Sequence, residues 1–229
     1  MTPTTPPEAS LRKTVSVIVP VYFNEGSLPS LYDDLVGFEG QLDERGLDLE
    51  LIFVDDGSAD ASFSRLMEIK RKRPETKVIK LTRNFGSLAA SKTGLGFVTG
   101  DCFGFLAADL QDPVEKFLEM VDCWLAGSRF VICVRASRDD PLLTRLFAAF
   151  YYRLLRLLVI ENYPRGGFDL MLLDRTLLGH MAESGKNTHP NLYAYWLGHQ
   201  PAVISYHRRQ RRHGKSRWTF RKRWRLFTD

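Results

Sequence analysis

The sequence predicts an α/β fold with a mainly parallel sheet, because short apolar strands alternate with segments of helical length. The strand candidates are rich in β-branched and aromatic residues, and each is followed by polar, turn-forming residues. The chain has 229 residues, of which 44% are hydrophobic and 26% are charged, as expected of a globular protein with one main core. These fractions exclude a disordered or collagen-like chain.

The predicted elements follow one another in a simple order. Val15–Val21 is the first strand, and apolar residues at helical spacing from Leu28 to Leu42 predict the first helix. Leu49–Val54 is the second strand, and apolar residues from Phe63 to Ile69 mark the second helix. The later elements are strands at Lys77–Leu81, Phe103–Ala107 and Arg129–Val134, with a helix from Pro113 to about Gly127.

The segment 141–160 is almost wholly apolar, and Asp140 with Pro141 forms an Asp-Pro pair suited to a helix start. Arg145, Arg153 and Arg156 fall within about 80° of one another on a helical wheel. A membrane-spanning helix is not expected, because an arginine near the bilayer centre is costly. The segment fits a helix lying in a membrane interface, a core helix whose arginines face water, or a subunit interface of a homo-oligomer.

Charge is unevenly distributed along the chain. The net charge is +5, but residues 206–229 alone carry +9, which leaves −4 for residues 1–205. Such a basic block meets phosphates of nucleic acid, anionic lipid or a phosphorylated ligand. Residues 1–13 lack the apolar core of a signal peptide and are predicted to be a disordered leader. The expected organisation is thus a leader over 1–13, a main domain over 14–205, and a basic juxtamembrane segment over 206–229.

Two acidic motifs follow the second and fourth strands. VDDGSAD places Asp55 and Asp56 after the second strand, and LAADLQDPVE places Asp109, Gln111 and Asp112 after the fourth. The carboxyl ends of parallel strands form the ligand crevice of an open sheet, and hard oxygen donors there suit Mg²⁺ or Mn²⁺. The same residues would also serve as ordinary turn and capping residues.

Other nucleotide-binding and metal motifs fail on spacing. PVYFNEGS follows the first strand where a dinucleotide-binding fold needs G-x-G-x-x-G, and Thr99 replaces the third glycine after Gly94-Leu95-Gly96. Gly214-Lys215-Ser216 resembles the end of a P-loop, but Arg209 stands where that motif requires glycine. The three cysteines indicate neither a disulfide framework nor a thiolate zinc site.

Six segments, taken in order, resemble family 2 glycosyltransferases of GT-A fold. Within that family they resemble the dolichyl-phosphate mannose synthases and the bacterial polyprenyl-phosphate glycosyltransferases. VSVIVPVYFNE resembles the first strand and nucleotide-contacting turn, LIFVDDGSAD the acidic turn, and LTRNFG the segment after the third strand. AADLQDP resembles the metal-binding D-x-D-L-Q-x-P, VRASRDDP the arginine loop, and RRHGKSRW the late R-x-x-G-x-S-K-W/Y motif.

The resemblance implies a role for each matching position. Asp55 and Asp56 would contact the base and ribose of a nucleotide sugar. Asp109 and Gln111 would hold Mg²⁺ or Mn²⁺ on its diphosphate, with Asp109 counted among the catalytic residues. Further nucleotide-sugar contacts would come from Pro20, Tyr22, Glu25 and Arg83, and the acceptor phosphate would be bound by Arg135, Arg138, Arg211, Lys215, Ser216 and Arg217.

The sequence departs from the family pattern at three positions. Ala107 stands where the family usually has aspartate, so the metal site has one carboxylate fewer. Phe23 is inserted between Tyr22 and the Asn-Glu pair, and Arg217 replaces the usual lysine. The first departure puts cation affinity in question, and the third keeps charge while changing geometry.

The predicted function is an inverting transfer of one sugar from a nucleotide-diphosphate sugar, UDP-linked, to polyprenyl phosphate. A phosphate oxygen is nucleophilic without losing a proton, so that acceptor needs cations rather than a base. The expected partners are the nucleotide sugar, polyprenyl phosphate and an anionic membrane surface, and the expected location is the cytoplasmic face of the membrane. The protein would be peripheral or a soluble portion of a longer anchored chain.

Three alternatives remain at this stage. The acceptor would be a saccharide hydroxyl if Asp169, in GGFDLMLLDR, acts as the general base. The loss of a carboxylate at Ala107 also fits a catalytically impaired relative that binds nucleotide sugar. Basic and aromatic residues near Trp218 and Trp224 would suit binding to nucleic acid. In that interpretation the acidic motifs would face a polyanion, so no nucleic-acid partner is expected.

Overall fold

The computed structural model describes residues 12–135, 167–185 and 188–206, and between the first two ranges only positions 153, 156–157, 160 and 163–164. The described strands are β1 (Lys13–Val21), β2 (Leu47–Asp55), β3 (Lys77–Lys80), β4 (Cys102–Phe105), β5 (Phe130–Arg135), β6 (Leu170–Asp174) and β7 (Ala202–Tyr206). The described α-helices are α1 (Leu28–Asp43), α2 (Ser62–Lys72), α3 (Ser87–Leu95), α4 (Glu115–Leu125), α5 (Leu178–Glu183) and α6 (Pro190–Trp196).

All seven strands form one sheet in the order β3-β2-β1-β4-β6-β5-β7. β1 pairs in parallel with β2 and β4, β2 pairs in parallel with β3, and β5 pairs in parallel with β7. β6 runs antiparallel to both β4 and β5. The predicted mainly parallel α/β sheet is therefore confirmed. The carboxyl ends of the parallel strands and the start of β6 lie along one side of the sheet, called here the carboxyl edge.

Helices cover both faces of the sheet. On one face Val17 and Val19 of β1 pack in a buried cluster with Leu31 and Leu35 of α1. On the other face Ile18 of β1 lies in a cluster with residues of α3. The helical spacing predicted for the first helix is confirmed, because the five apolar residues that define it are buried: Leu28, Leu31, Leu35, Phe38 and Leu42. Both faces of the sheet are therefore covered, as is usual for parallel strands.

The ends of the domain differ from the prediction by a few residues. β1 begins at Lys13, which pairs with Leu47 of β2, and the Arg12 guanidinium bonds the Asp43 carboxylate at 2.7 Å. These residues were assigned to the leader, but strand pairing and this ion pair hold them in the fold. Tyr206 was assigned to the basic segment, and it is instead the last residue of β7, opposite Arg135.

Several predicted features lie outside the described residues. They include residues 1–11, most of the predicted helix over 141–160, and the basic segment 207–229. Arg153, Arg156 and Leu157 are described, all three are helical, and the Leu157 side chain is 78% exposed. Among the helices that the structure describes, none has the length and apolar character needed to cross a bilayer.

The turn after β2 approaches the loop after β3 so closely that one position must be glycine. Gly57 has a φ of +68°, and a Cβ there would lie 2.5 Å from the carbonyl carbon of Arg83 and 2.8 Å from the amide nitrogen of Asn84. These are backbone atoms, so no rotamer change relieves the overlap. Gly46 has nearly the same φ, +69°, but open space around its missing Cβ.

The two glycines separate the cost of backbone strain from the cost of this close approach. Gly46→Ala is expected to lower the free energy of unfolding by about 1 kcal/mol, the usual cost of a left-handed alanine. Gly57→Ala is expected to cost at least about 3 kcal/mol, because backbone overlap adds to the same strain. Urea unfolding of both variants measures the difference. Equal losses would contradict the close approach of the two loops.

Candidate active site at the carboxyl edge

The loop after β1 is fastened to the loop after β2 by hydrogen bonds from its backbone. The Phe23 amide donates to Ser58 Oγ at 3.1 Å, and the Asn24 amide donates to Ser62 Oγ at 2.7 Å. In return the Ala61 amide donates to Glu25 Oε2 at 2.8 Å. Glu25 therefore joins the two loops, and its predicted contact with the nucleotide remains a prediction.

Pro20 and Tyr22, the other predicted contacts from this part of the chain, lie at the end of β1. Pro20 pairs with Val54 of β2, and the Tyr22 amide donates to Asn24 Oδ1 at 2.9 Å. The Tyr22 ring packs edge-on against the Phe23 ring, with centroids 4.7 Å apart. Both residues thus stand at the carboxyl edge, where a nucleotide contact was predicted.

Asp56 connects the end of β2 to the loop after β3. Its carboxylate is buried and accepts hydrogen bonds from the Phe85 amide at 2.7 Å and the Gly86 amide at 2.9 Å. In the same loop the Arg83 guanidinium lies 4.3 Å from the centre of the Phe85 ring. These contacts bring Arg83 and Asp56 to one side of the crevice, while their predicted roles in nucleotide binding remain untested.

Asp55 carries a buried oxygen that the surrounding protein leaves unsatisfied. Its side chain is fully buried, and Oδ1 accepts a hydrogen bond from the Ser58 amide at 3.3 Å. Oδ2 is also buried, and no hydrogen-bond donor reaches it within the described part of the chain. An unmet acceptor of this kind costs about 1–3 kcal/mol. An N–H donor that reached this oxygen would remove that cost, and the predicted contact of Asp55 with a nucleotide remains a prediction.

Two loops at the carboxyl edge hold strained backbone. Phe23, after β1, has a φ of 55° and Leu110, after β4, has a φ of 60°, and they are the non-glycine residues with positive φ among those described. Such conformations cost about 1–3 kcal/mol each and persist where packing enforces them. Leu110 is buried, which supplies that packing. It separates Asp109 from Gln111, so the strain lies within the predicted metal-binding loop.

The loop after β4 offers a small set of metal donors. Asp109 Oδ1 accepts a hydrogen bond from the Gln111 amide at 3.2 Å, and Ser27 Oγ donates to the Ala108 carbonyl at 2.6 Å. No cluster of three or more His, Cys, Asp or Glu side chains suited to a metal occurs in the described ranges. One carboxylate and one amide fit Mg²⁺ or Mn²⁺, which take substrate phosphate oxygens and water as their other ligands.

Asp169 and Arg135 form a bidentate ion pair at the carboxyl edge. Arg135 Nε lies 2.5 Å from Asp169 Oδ2, and Nη2 lies 2.7 Å from Oδ1. Burial acts to lower the pKa of the Arg135 guanidinium, but the hydrogen bonds and charge of Asp169 raise that pKa above its ordinary value. Both carboxylate oxygens therefore already accept from a cation, which disfavours Asp169 as a general base.

Sequence reasoning missed Tyr206, whose buried hydroxyl joins this pair to the predicted metal-binding loop. Tyr206 Oη lies 2.9 Å from both Asp112 Oδ1 and Asp169 Oδ2. The sequence signal for β7 is weak, and only the structure shows that this strand buries the tyrosine at its end. The remaining predicted acceptor residues lie outside the described residues: Arg138, Arg211, Lys215, Ser216 and Arg217.

Comparisons with known proteins identify the family and the fold. Residues 16–181 match the Glycosyl transferase family 2 domain. The chain is 32% identical over 216 residues to the uncharacterized glycosyltransferase YkcC of Bacillus subtilis, covering 93% of this chain and 66% of that protein. It is 29% identical over 214 residues to the bactoprenol glucosyl transferase of Shigella phage SfX, covering 93% and 69%. The chain thus spans about two thirds of the length of these curated relatives.

A solved structure shows the same fold at low identity. Glucosyl-3-phosphoglycerate synthase from Mycobacterium tuberculosis, in complex with Mn²⁺, UDP-glucose and phosphoglyceric acid, superposes with a TM-score of 0.62 at 21% identity. The match covers 88% of this chain and 73% of that one. With most of the chain inside the matched domain and the sheet arranged as in such enzymes, this protein belongs to glycosyl transferase family 2 and is a glycosyltransferase of GT-A fold.

Proposed function

We propose that this glycosyltransferase transfers one sugar from a UDP-sugar to polyprenyl phosphate, with inversion, at the cytoplasmic face of a membrane. The observation that carries the proposal is the 29% identity, over 93% of the chain, to a protein named bactoprenol glucosyl transferase. The acceptor-side geometry supports it, because Arg135 supplies a cation at the carboxyl edge and Asp169 is engaged as its counter-ion. A phosphate acceptor needs the cation and does not need a base.

In this proposal one set of residues binds the nucleotide sugar and another set binds the acceptor phosphate. Asp55 would accept a hydrogen bond from the base, and Asp109 and Gln111 would hold the cation on the diphosphate. When bound, Mg²⁺ or Mn²⁺ supplies positive charge that stabilises the departing nucleoside diphosphate. Arg135, joined by the predicted basic residues beyond the described part, would hold the acceptor phosphate against the repulsion of the donor diphosphate.

The direct experiment incubates the protein with short-chain polyprenyl phosphate, Mg²⁺ or Mn²⁺, and a panel of UDP- and GDP-sugars. Mass spectrometry detects the glycolipid, and NMR of the product reports the anomeric configuration. We expect a cation-dependent glycosyl phosphate with inverted configuration from a UDP-sugar. If only a GDP-sugar gives product, the assignment of a UDP-sugar as donor is wrong. If only saccharide acceptors give product, the assignment of polyprenyl phosphate as acceptor is wrong.

Asp169→Asn tests the saccharide alternative. We expect the variant to keep activity on polyprenyl phosphate within about 10-fold of the wild type, because it weakens a counter-ion and removes no general base. Loss of a general base costs roughly 10²–10⁴-fold in rate. Initial rates across pH measure both effects. A loss in that larger range, with the acidic limb of the pH profile abolished, would favour a hydroxyl acceptor.

Asp55→Asn tests the proposed base contact. The amide can present its N–H₂ where the buried Oδ2 accepts, so we expect the Kd for UDP to rise about 10- to 100-fold, as for a lost charge-assisted hydrogen bond. Asp48→Asn, at the opposite end of β2 with a half-exposed side chain, is the matched control. Calorimetric titration with UDP measures both. An unchanged Kd for the Asp55 variant would place the base elsewhere.

Ala107→Asp restores the carboxylate that the family usually carries. If Asp109 and Gln111 hold the cation, the added charge is expected to lower the metal concentration that gives half-maximal activity by roughly 10-fold. Ala107→Asn has nearly the same volume without the charge and serves as the control. Titration of Mn²⁺ at saturating donor separates the two. Equal effects would exclude an electrostatic role for this position.

A further inference from the structure

Three segments that are distant in the sequence meet at one buried hydroxyl. Tyr206 ends β7, Asp169 immediately precedes β6, and Asp112 lies in the loop after β4. The Tyr206 side chain is 2% exposed and Asp112 is 6% exposed, so their contact is shielded from water. The hydroxyl lies 2.9 Å from an oxygen of each carboxylate.

The strand register places this hydroxyl beside the acceptor side of the site. Tyr206 of β7 is the pairing partner of Arg135 of β5, and Arg135 in turn holds both oxygens of Asp169. Asp169 therefore receives hydrogen bonds from a guanidinium and lies within bonding distance of a phenol. The end of β5, the start of β6 and the end of β7 are fixed to one another by these contacts.

Asp112 extends the same connection to the donor side. It lies one residue after Gln111 and three after Asp109, the residues assigned to the cation. Leu110 within this loop has a φ of 60°, so the loop is held in a conformation that an isolated peptide would leave. Tyr206 contacts Asp112, at the C-terminal end of that strained segment.

The hydroxyl remains a donor throughout the pH range in which the enzyme would act. Burial, together with the charges of Asp112 and Asp169, raises the pKa of Tyr206 well above its ordinary value. A phenol has one proton and donates to one carboxylate at a time, so the hydroxyl can bond either Asp112 or Asp169.

We propose that Tyr206 is a positioning residue, whose hydroxyl holds the Asp109–Gln111 loop at a fixed place relative to Arg135 and Asp169. This proposal rests on the proposed function, in which the loop binds the donor diphosphate and Arg135 binds the acceptor phosphate. Tyr206 touches neither substrate. Its contribution is the relative placement of the two reacting groups, on which in-line attack depends, since small misplacements cost large factors in rate.

Tyr206→Phe removes the hydroxyl and keeps the ring that fills the core. We expect kcat to fall about 10- to 100-fold with both substrates saturating, while the Kd for UDP without metal changes less than about twofold. The unchanged Kd follows because the base site at Asp55 lies on other strands. Tyr195→Phe removes a phenol from the aromatic cluster formed with Phe130 and Phe168 and is the matched control.

Hydrogen–deuterium exchange supplies a readout that does not depend on any acceptor. In Tyr206→Phe we expect amides of residues 106–112 to exchange at least 10-fold faster, with those of β1 unchanged. Asp112→Asn still accepts a hydrogen bond, so it is expected to fall between the wild type and Tyr206→Phe in both assays. A merely structural role would instead speed exchange throughout the sheet and lower kcat only through unfolded protein.

The outcomes separate this proposal from the proposed function. A wild type that makes no glycolipid contradicts the proposed function, and the exchange of residues 106–112 still decides the role of Tyr206. A wild type that makes glycolipid, with kcat and loop exchange both unchanged in Tyr206→Phe, overturns the positioning role alone. Equal losses in Tyr206→Phe and Tyr195→Phe would overturn it as well.

Discussion

The candidate site depends on how this fold satisfies carboxylates buried at the carboxyl edge of the sheet. A buried carboxylate without hydrogen-bond donors strongly destabilises the folded state, so it needs donors from the surrounding protein. The buried Asp56 accepts from two backbone amides of the loop after β3, and the partly buried Asp169 accepts from a guanidinium. Each of these sets of hydrogen bonds joins two segments of the chain, and the joined segments form the sides of the crevice. Asp55 is the exception, because no donor among the described residues reaches one of its oxygens.

The two sides of the crevice are built from different strands, and this separation suits a two-substrate reaction. The parallel strands β1, β2 and β4 carry the loops assigned to the nucleotide sugar, whereas β5, β6 and β7 carry Arg135, Asp169 and Tyr206. β6 is the antiparallel strand between the two groups, and its reversal brings Asp169, which precedes the strand, to the carboxyl edge. A residue before β6 thereby meets residues that end β5 and β7.

The ion pair between Arg135 and Asp169 changes how the acceptor side is understood. The sequence predicts Asp169 as a candidate base and Arg135 as a candidate phosphate ligand, and it does not predict a contact between them. In the fold each is the other's partner, with two contacts of 2.7 Å or less. A carboxylate held in this way serves to orient the guanidinium, and a guanidinium so oriented presents a defined direction to an anion.

Local pattern by itself determined the first five strands, the helices α1, α2 and α4, and the acidic motifs at the carboxyl edge. Leu28 to Leu42 and the run before Asp55 show why: their periodicity and composition are local and strong. The sequence did not reveal β6, β7 or the short helices, whose segments carry weak or mixed patterns. Only the tertiary structure decided that Tyr206 meets Asp112 and Asp169, because that contact joins residues up to 94 positions apart. The order of the strands and the antiparallel direction of β6 bring these residues together, and local periodicity determines neither of them.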